Sequence, residues 1–162
     1  MGINRVLVIA VVIVLAAGSR ARGENIIPDE LKTLLEKADK FELISLSPEY
    51  LKEKPVDGFH GWKVLGRTTV KDADARKTLL AAFEKGVAEN KGEVARCFDP
   101  RHGIRATHGD KTVDLVICFE CYQVKVFAGD DLKTDFLVTR SPQPAFDKVL
   151  TDAKVPLPPG RK

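Results

Sequence analysis

Hydrophobic and polar residues recur along the chain with two different periods, which predict a mixture of helices and strands. Apolar side chains follow helical spacing in three stretches, which predict three helices, each with a proline or an aspartate at its start. The first helix is predicted over 28–40 and the third over 141–153. The second begins at Asp72 and ends at Gly86 or Gly92. Runs rich in β-branched and aromatic residues predict strands over 41–46, 59–70, 94–98, 103–107, 112–119, 122–127 and 136–139. Because most strands follow one another through short turns, we expect a single α+β domain. Its mainly antiparallel sheet would be covered by two or three helices.

The clearest prediction of strand register concerns a hairpin with the two-residue loop Gly109-Asp110. The numbers of two paired residues in such a hairpin sum to 219, so His102 is expected to pair with Ile117. Cys97 would fall near Cys121 if its strand continued in the same register.

A change of phase follows this hairpin. Apolar side chains stand at odd positions up to Phe119 and at even positions from Tyr122 onward. Since alternate residues of a strand face opposite sides of a sheet, the strand must bulge or break near Glu120-Cys121.

The first 23 residues differ from the rest of the chain. Val6–Ala17 is an unbroken run of twelve apolar residues, followed by small and basic residues, a pattern typical of a cleavable export signal. Twelve residues span about 18 Å as a helix, short of the roughly 30 Å hydrocarbon core of a membrane. We therefore predict a signal peptide over 1–23, with cleavage before Ser19 as the alternative and an uncleaved anchor left open. The exported domain, periplasmic or secreted, would span 24–162 and end in a proline-rich tail over 155–162.

Removing this segment changes the charge balance. The whole chain carries 26 lysines and arginines against 23 acids, but residues 1–23 hold three of the arginines and none of the acids. The remainder has no net charge and lacks the positive potential that nucleic-acid binding uses, so nucleic acid is not an expected partner. No glycine-rich phosphate loop follows a predicted strand either. Stable membrane insertion after cleavage is not expected, and a protein or a small anion, the latter at Arg101, is left open as the partner.

All three cysteines and one histidine lie in a 25-residue window with the spacing C-x4-H-x15-C-x2-C. The four residues are Cys97, His102, Cys118 and Cys121. Three thiolates and an imidazole form a common tetrahedral zinc set, and C-x2-C is a usual ligand pair, so we predict a structural metal site with zinc as the metal. One shared site requires the chain to fold back at Asp99-Pro100. The predicted function is an exported domain of binding or structural type.

Three other interpretations of the cysteines stay open. An oxidising compartment favours a disulfide. The chain would then be an interaction module stabilised by one disulfide, with the third cysteine outside it. Nearby cations such as Arg96 and Arg101 would stabilise a thiolate, as in a thiol-dependent redox or transfer enzyme using Cys118 or Cys121. For that enzyme, no Asp or Asn that orients His102 can be identified from the sequence. The cysteines would also suit a tight core as small buried side chains.

Other polar residues have weaker claims to a site. His60 is predicted to be an ordinary strand residue and His108 a turn residue. Glu120 is either an outward-facing carboxylate or a hydrogen-bond partner of His102. An ion pair with Asp99 or Glu120 is the alternative to anion binding at Arg101.

One part of the window resembles a known family. The stretches Cys97-Phe-Asp-Pro-Arg-His102 and Ile117-Cys-Phe-Glu-Cys121, preceded by Gly61–Gly66, resemble a family of uncharacterised exported bacterial proteins with a C-x2-PRH … ICFxC core. The resemblance covers roughly residues 41–128. It implies a shared fold and a shared cysteine-rich site, but the family has no assigned activity and so implies no function.

Overall fold

A computed structural model describes residues 26–50 and 57–158, so the predicted signal peptide lies outside the described residues. None of the helices in these two ranges is long and apolar enough to cross a membrane. The elements are α1 (Asp29–Lys37), β1 (Lys40–Tyr50), β2 (Trp62–Thr69), α2 (Ala73–Glu89), β3 (His102–His108), β4 (Lys111–Cys118), β5 (Gln123–Ala128), β6 (Asp131–Leu137) and α3 (Gln143–Asp152).

The six strands form one sheet in the order β2-β1-β3-β4-β5-β6, and every neighbouring pair is antiparallel. The predicted α+β class is therefore confirmed. The predicted hairpin register is confirmed as well, because His102 pairs with Ile117 and His108 with Lys111.

Both faces of the sheet carry apolar clusters. The larger cluster packs the sheet against all three helices and includes Leu115, Phe83 and Phe146. A smaller cluster on the opposite face consists of Ile44, Leu46, Phe59, Trp62 and Val116. Because β4 lies between the two clusters, every residue from 113 to 118 is buried. Cys118 follows Val116 at a strand spacing of two and therefore faces the smaller cluster.

The strand predicted over 94–98 is wrong, since this segment has no regular structure. Its backbone groups bond to the β4–β5 turn and to a side chain instead of to a neighbouring strand. The Ala95 N–H donates to the Cys121 carbonyl at 3.1 Å, and the Gln123 amide donates to the Ala95 carbonyl at 2.8 Å. The segment therefore lies beside the turn that joins β4 to β5.

Three predicted strand boundaries are also wrong. β1 continues to Tyr50, beyond its predicted end at position 46, β2 begins at Trp62 instead of Phe59, and β6 begins at Asp131 instead of Phe136. The pairing of β1 with β2 shifts register between Ser45 and Leu46 and again before Tyr50. Such irregular pairing tolerates the proline at position 48, which would disrupt a regular central ladder.

The N-terminal cap predicted for α2 is confirmed. A side-chain oxygen of Asp72 accepts a hydrogen bond from the Ala75 N–H at 2.6 Å. We expect Asp72→Ala to lower the free energy of unfolding by about 1 kcal/mol, since one N–H at the helix end loses its partner. Lys71→Ala, one residue outside the helix, is the matched control and should leave the urea midpoint unchanged. Equal midpoints for both variants would contradict the capping role.

The start of the predicted C-terminal tail packs against the sheet. The Val155 N–H donates to the Leu150 carbonyl at 2.9 Å, and the Ser45 hydroxyl donates to the Pro156 carbonyl at 2.6 Å. The last four residues of the tail, 159–162, lie outside the described residues.

Candidate thiol–disulfide site

The C-x2-C motif lies on the tight turn that joins β4 to β5. Cys118 is the last residue of β4 and pairs with Gln123, the first residue of β5. The Cys121 N–H donates to the Cys118 carbonyl at 3.2 Å, and Tyr122 has a positive φ of 61°. The break predicted near Glu120-Cys121 is thus confirmed. It is a reversal of chain direction, which explains why the apolar phase shifts there.

Cys118 and Cys121 form a disulfide with a Cα–Cα distance of 5.1 Å. Both residues are buried, with exposed fractions of 1% and 0%. An external thiol therefore has almost no direct access to either sulfur in this conformation.

Cys97 brings a third sulfur to the turn. Its Sγ lies 3.3 Å from the Sγ of Cys121, although the two residues are 24 positions apart. Cys97 is outside the disulfide and half-buried, so it is the most accessible of the three cysteines. The Gln123 side chain holds this segment in place by donating to the carbonyls of Ala95 and Cys97.

Backbone N–H groups point at both sulfurs of the disulfide. The Asp99 N–H donates to the Cys121 Sγ at 3.3 Å, and the Cys121 N–H donates to the Cys118 Sγ at 3.1 Å. Hydrogen bonds of this kind stabilise a sulfur that carries negative charge. The Sγ of Cys118 also lies 3.3 Å from the Asp99 carbonyl, to which a reduced Cys118 thiol would donate.

The same sulfurs belong to a cluster that could hold a metal ion. One ligand atom from each of Cys97, Asp99 and Cys121 lies within 4.8 Å of the other two. Cys121 is shared between this cluster and the disulfide. A sulfur in a disulfide is not a thiolate, and thiolates are the metal ligands, so the two uses of Cys121 exclude each other.

His102, the fourth predicted ligand, lies on the helix side of the sheet. Its Nε2 is 2.8 Å from the Asp147 Oδ1, and its ring packs against Phe119 and Phe146 with centroid distances of 5.2 and 5.8 Å. Within 26–50 and 57–158, its buried Nδ1 meets no hydrogen-bond partner. The structure therefore brings the three cysteines together and places His102 with Asp147. The four-ligand set stays a prediction.

Asp147 is a partner of His102 that the sequence did not reveal. It lies on α3, 45 positions after His102, and only the packing of that helix on the sheet joins the two side chains. The ordinary helix pattern around Asp147 offers no signal for this pairing.

Carboxylates pair with two arginines that lie close to the cysteines in sequence. Arg101 forms an ion pair with Glu120 at 2.6 Å, as predicted for one alternative, and both side chains are largely buried. Arg105 donates two hydrogen bonds to Asp114, at 2.8 and 2.7 Å. Both guanidinium groups are therefore balanced by carboxylates.

A second polar cluster lies on the same face of the sheet as Cys118. His60 Nε2 is 2.8 Å from Asp114, and its ring stacks on Phe127 at a centroid distance of 4.0 Å. His60 and Gly61 both have positive φ and form a two-residue turn, so the predicted strand role of His60 is wrong. Although burial raises the pKa of Asp114, hydrogen bonds from Arg105 and His60 bring it below its usual value.

Comparison with protein-family models, curated proteins and solved structures finds no match to this chain. The resemblance to the exported bacterial family stays a prediction.

Proposed function

We propose that this chain is an exported thiol–disulfide exchange domain. Cys118–Cys121 is its resident disulfide, and Cys97 is the thiol through which partners reach it. The 3.3 Å separation between the sulfurs of Cys97 and Cys121 carries this proposal. The partner class is a dithiol on a protein or a small molecule.

The exchange begins inside the domain. The Cys97 thiolate attacks the Cys121 Sγ, a Cys97–Cys121 bond forms, and Cys118 leaves as a thiolate. The Cys121 N–H, 3.1 Å from the Cys118 Sγ, stabilises this leaving group. The disulfide has now moved to the more accessible cysteine.

A partner dithiol then completes the transfer. One partner thiolate attacks Cys97 and displaces Cys121, and the second partner thiolate resolves the mixed disulfide and releases Cys97. The partner loses two electrons and two protons and becomes a disulfide. The domain gains both electrons and both protons and ends with three thiols, so no further oxidant is needed.

The position of the resident disulfide favours exchange over a purely structural role. A disulfide lowers the chain entropy of the unfolded state, and one that closes a four-residue loop raises the free energy of unfolding by only about 2 kcal/mol. A Cys97–Cys121 bond would close about 25 residues and contribute about 3.5 kcal/mol by the same estimate. A structural staple would gain more from the longer connection, whereas the buried short-range disulfide beside a third sulfur suits exchange.

Export is part of the proposal. The apolar segment Val6–Ala17 predicts a signal peptide, and disulfides persist mainly in oxidising compartments. The disulfide between Cys118 and Cys121 is compatible with that location.

Reduction kinetics test the role of Cys97. We expect Cys97→Ser to slow reduction of the Cys118–Cys121 disulfide by dithiothreitol about tenfold or more, because both remaining sulfurs are buried. Quenching with an alkylating reagent followed by intact-mass analysis would give the rate.

The exposed Val94, close to Cys97 in sequence, provides the control variant Val94→Ala, which should be reduced at the wild-type rate. If Cys97→Ser is reduced as fast as wild type, direct attack on the hairpin disulfide suffices and the proposed relay is wrong.

A second candidate function is zinc binding at the same turn. It is favoured by the close approach of the ligand atoms of Cys97, Asp99 and Cys121. Thiolate and carboxylate are both established zinc ligands. Metal analysis of the reduced protein tests this candidate, and less than about a tenth of an equivalent of zinc would remove it.

A further inference from the structure

We infer that the two candidate functions are alternative states of one site. Reduction of the Cys118–Cys121 disulfide creates a zinc site whose ligands are Cys97, Cys118, Cys121 and Asp99. Reoxidation to the disulfide releases the metal. Asp99, and not His102, is the fourth ligand. The inference deepens the proposed exchange function and rests on it for the reversible opening of the disulfide.

The sulfur geometry suits this site. With zinc–sulfur bonds of about 2.3 Å, two thiolates of a tetrahedral site lie about 3.8 Å apart. The Cys97–Cys121 sulfur distance of 3.3 Å is close to that value, so small side-chain rotations suffice. Once the disulfide opens, the Cys118 sulfur lies next to Cys121 as the third thiolate.

The choice of Asp99 follows from which ligand atom already lies near the sulfurs. A carboxylate oxygen of Asp99 lies within 4.8 Å of the sulfurs of Cys97 and Cys121. The ring of His102 is wedged between Phe119 and Phe146, and its Nε2 bonds to Asp147. Moving His102 to the cysteines would break that bond and disrupt the main core, whereas Asp99 is half-buried and already in place.

The chemistry balances in both directions. Zinc binding to the reduced site displaces three thiol protons, and the Asp99 carboxylate binds without proton loss. Disulfide formation passes two electrons from Cys118 and Cys121 to a partner disulfide, whose two thiolates take up protons from water to give a dithiol. The site then loses two of its four ligands and zinc dissociates.

Competition with a chromophoric zinc chelator tests the redox dependence. Protein reduced with a phosphine should bind one zinc ion, and air-oxidised protein should bind none. Adding a small-molecule disulfide to the zinc form should release the metal as the Cys118–Cys121 bond returns. Zinc binding of equal affinity in both redox states would overturn the inference.

The ligand choice is tested by Asp99→Asn, which should weaken zinc binding to the reduced protein about tenfold or more. Asp110→Asn, at the exposed tip of the β3–β4 hairpin, is the matched control and should bind zinc as wild type does. Unchanged affinity in Asp99→Asn would show that Asp99 is not a ligand.

Nitrogen-15 NMR of the three histidines provides a test on the unmodified protein. Zinc should leave the imidazole shifts of His102 unchanged, whereas a large shift would restore the sequence-predicted Cys3His set. Phosphine treatment of the unfolded protein, followed by refolding, reduces the disulfide without help from Cys97. Failure to bind zinc would therefore overturn this inference alone, and failure of the exchange proposal would appear separately in the Cys97→Ser kinetics.

Discussion

Asp114→Asn is expected to lower the free energy of unfolding by about 3 kcal/mol, because it breaks a buried ion-pair network. Asp114 is only 4% exposed and accepts hydrogen bonds from Arg105 and His60. An asparagine would present a neutral amide to these donors. The Arg105 side chain is 38% exposed and can rehydrate. We therefore expect a stability loss at the lower end of the range typical of breaking a buried ion pair.

The pH dependence of this effect has a defined sign. The hydrogen bonds overcome the opposing effect of burial, so the pKa of Asp114 in the folded protein lies below its value in the unfolded chain. The contribution of Asp114 is therefore complete above the unfolded pKa of about 4 and is lost as pH falls through the folded pKa. The stability difference between wild type and Asp114→Asn should shrink below about pH 4.

Urea unfolding at neutral and acidic pH measures both effects. Asp135, exposed on the edge strand β6, provides the matched control Asp135→Asn, which should change stability by less than about 0.5 kcal/mol. If both variants lose a similar amount of unfolding free energy at neutral pH, the Asp114 network stabilises the protein no more than an exposed carboxylate does.

Cys118→Ser is expected to trap a new disulfide between Cys97 and Cys121. With its partner removed, the Cys121 sulfur lies 3.3 Å from that of Cys97, and oxidation can join them with little movement. Intact-mass analysis without reductant should show the loss of two hydrogens, and peptide mapping should place the bond. The trapped species is the intermediate of the proposed exchange.

The other two single serine variants provide the comparison. Cys97→Ser should retain the Cys118–Cys121 disulfide, since both of its sulfurs remain. Cys121→Ser removes the sulfur that both bonds share and should form disulfide far more slowly. Reduced, unlinked Cys118→Ser after exposure to oxidised glutathione would contradict the sulfur arrangement on which the exchange proposal depends.

Local features of the fold were predictable because adjacent residues encode them. The two-residue loop Gly109-Asp110 determined the β3–β4 register, and Asp72 marked the start of α2. The change of apolar phase located the β4–β5 turn at Glu120-Cys121. By contrast, β6 begins with polar, exposed residues at the sheet edge, so no apolar alternation revealed its first half.

The sequence by itself determined the α+β class, the hairpin register and the break in apolar alternation near Glu120-Cys121. Only the tertiary structure decided which side chains meet: Cys97 with Cys121, His102 with Asp147, and His60 with Asp114. The partners are 24, 45 and 54 residues apart, and loops and helix packing bring them together. Periodicity reports which way a side chain faces within its own element, and it carries no information about a partner on another element.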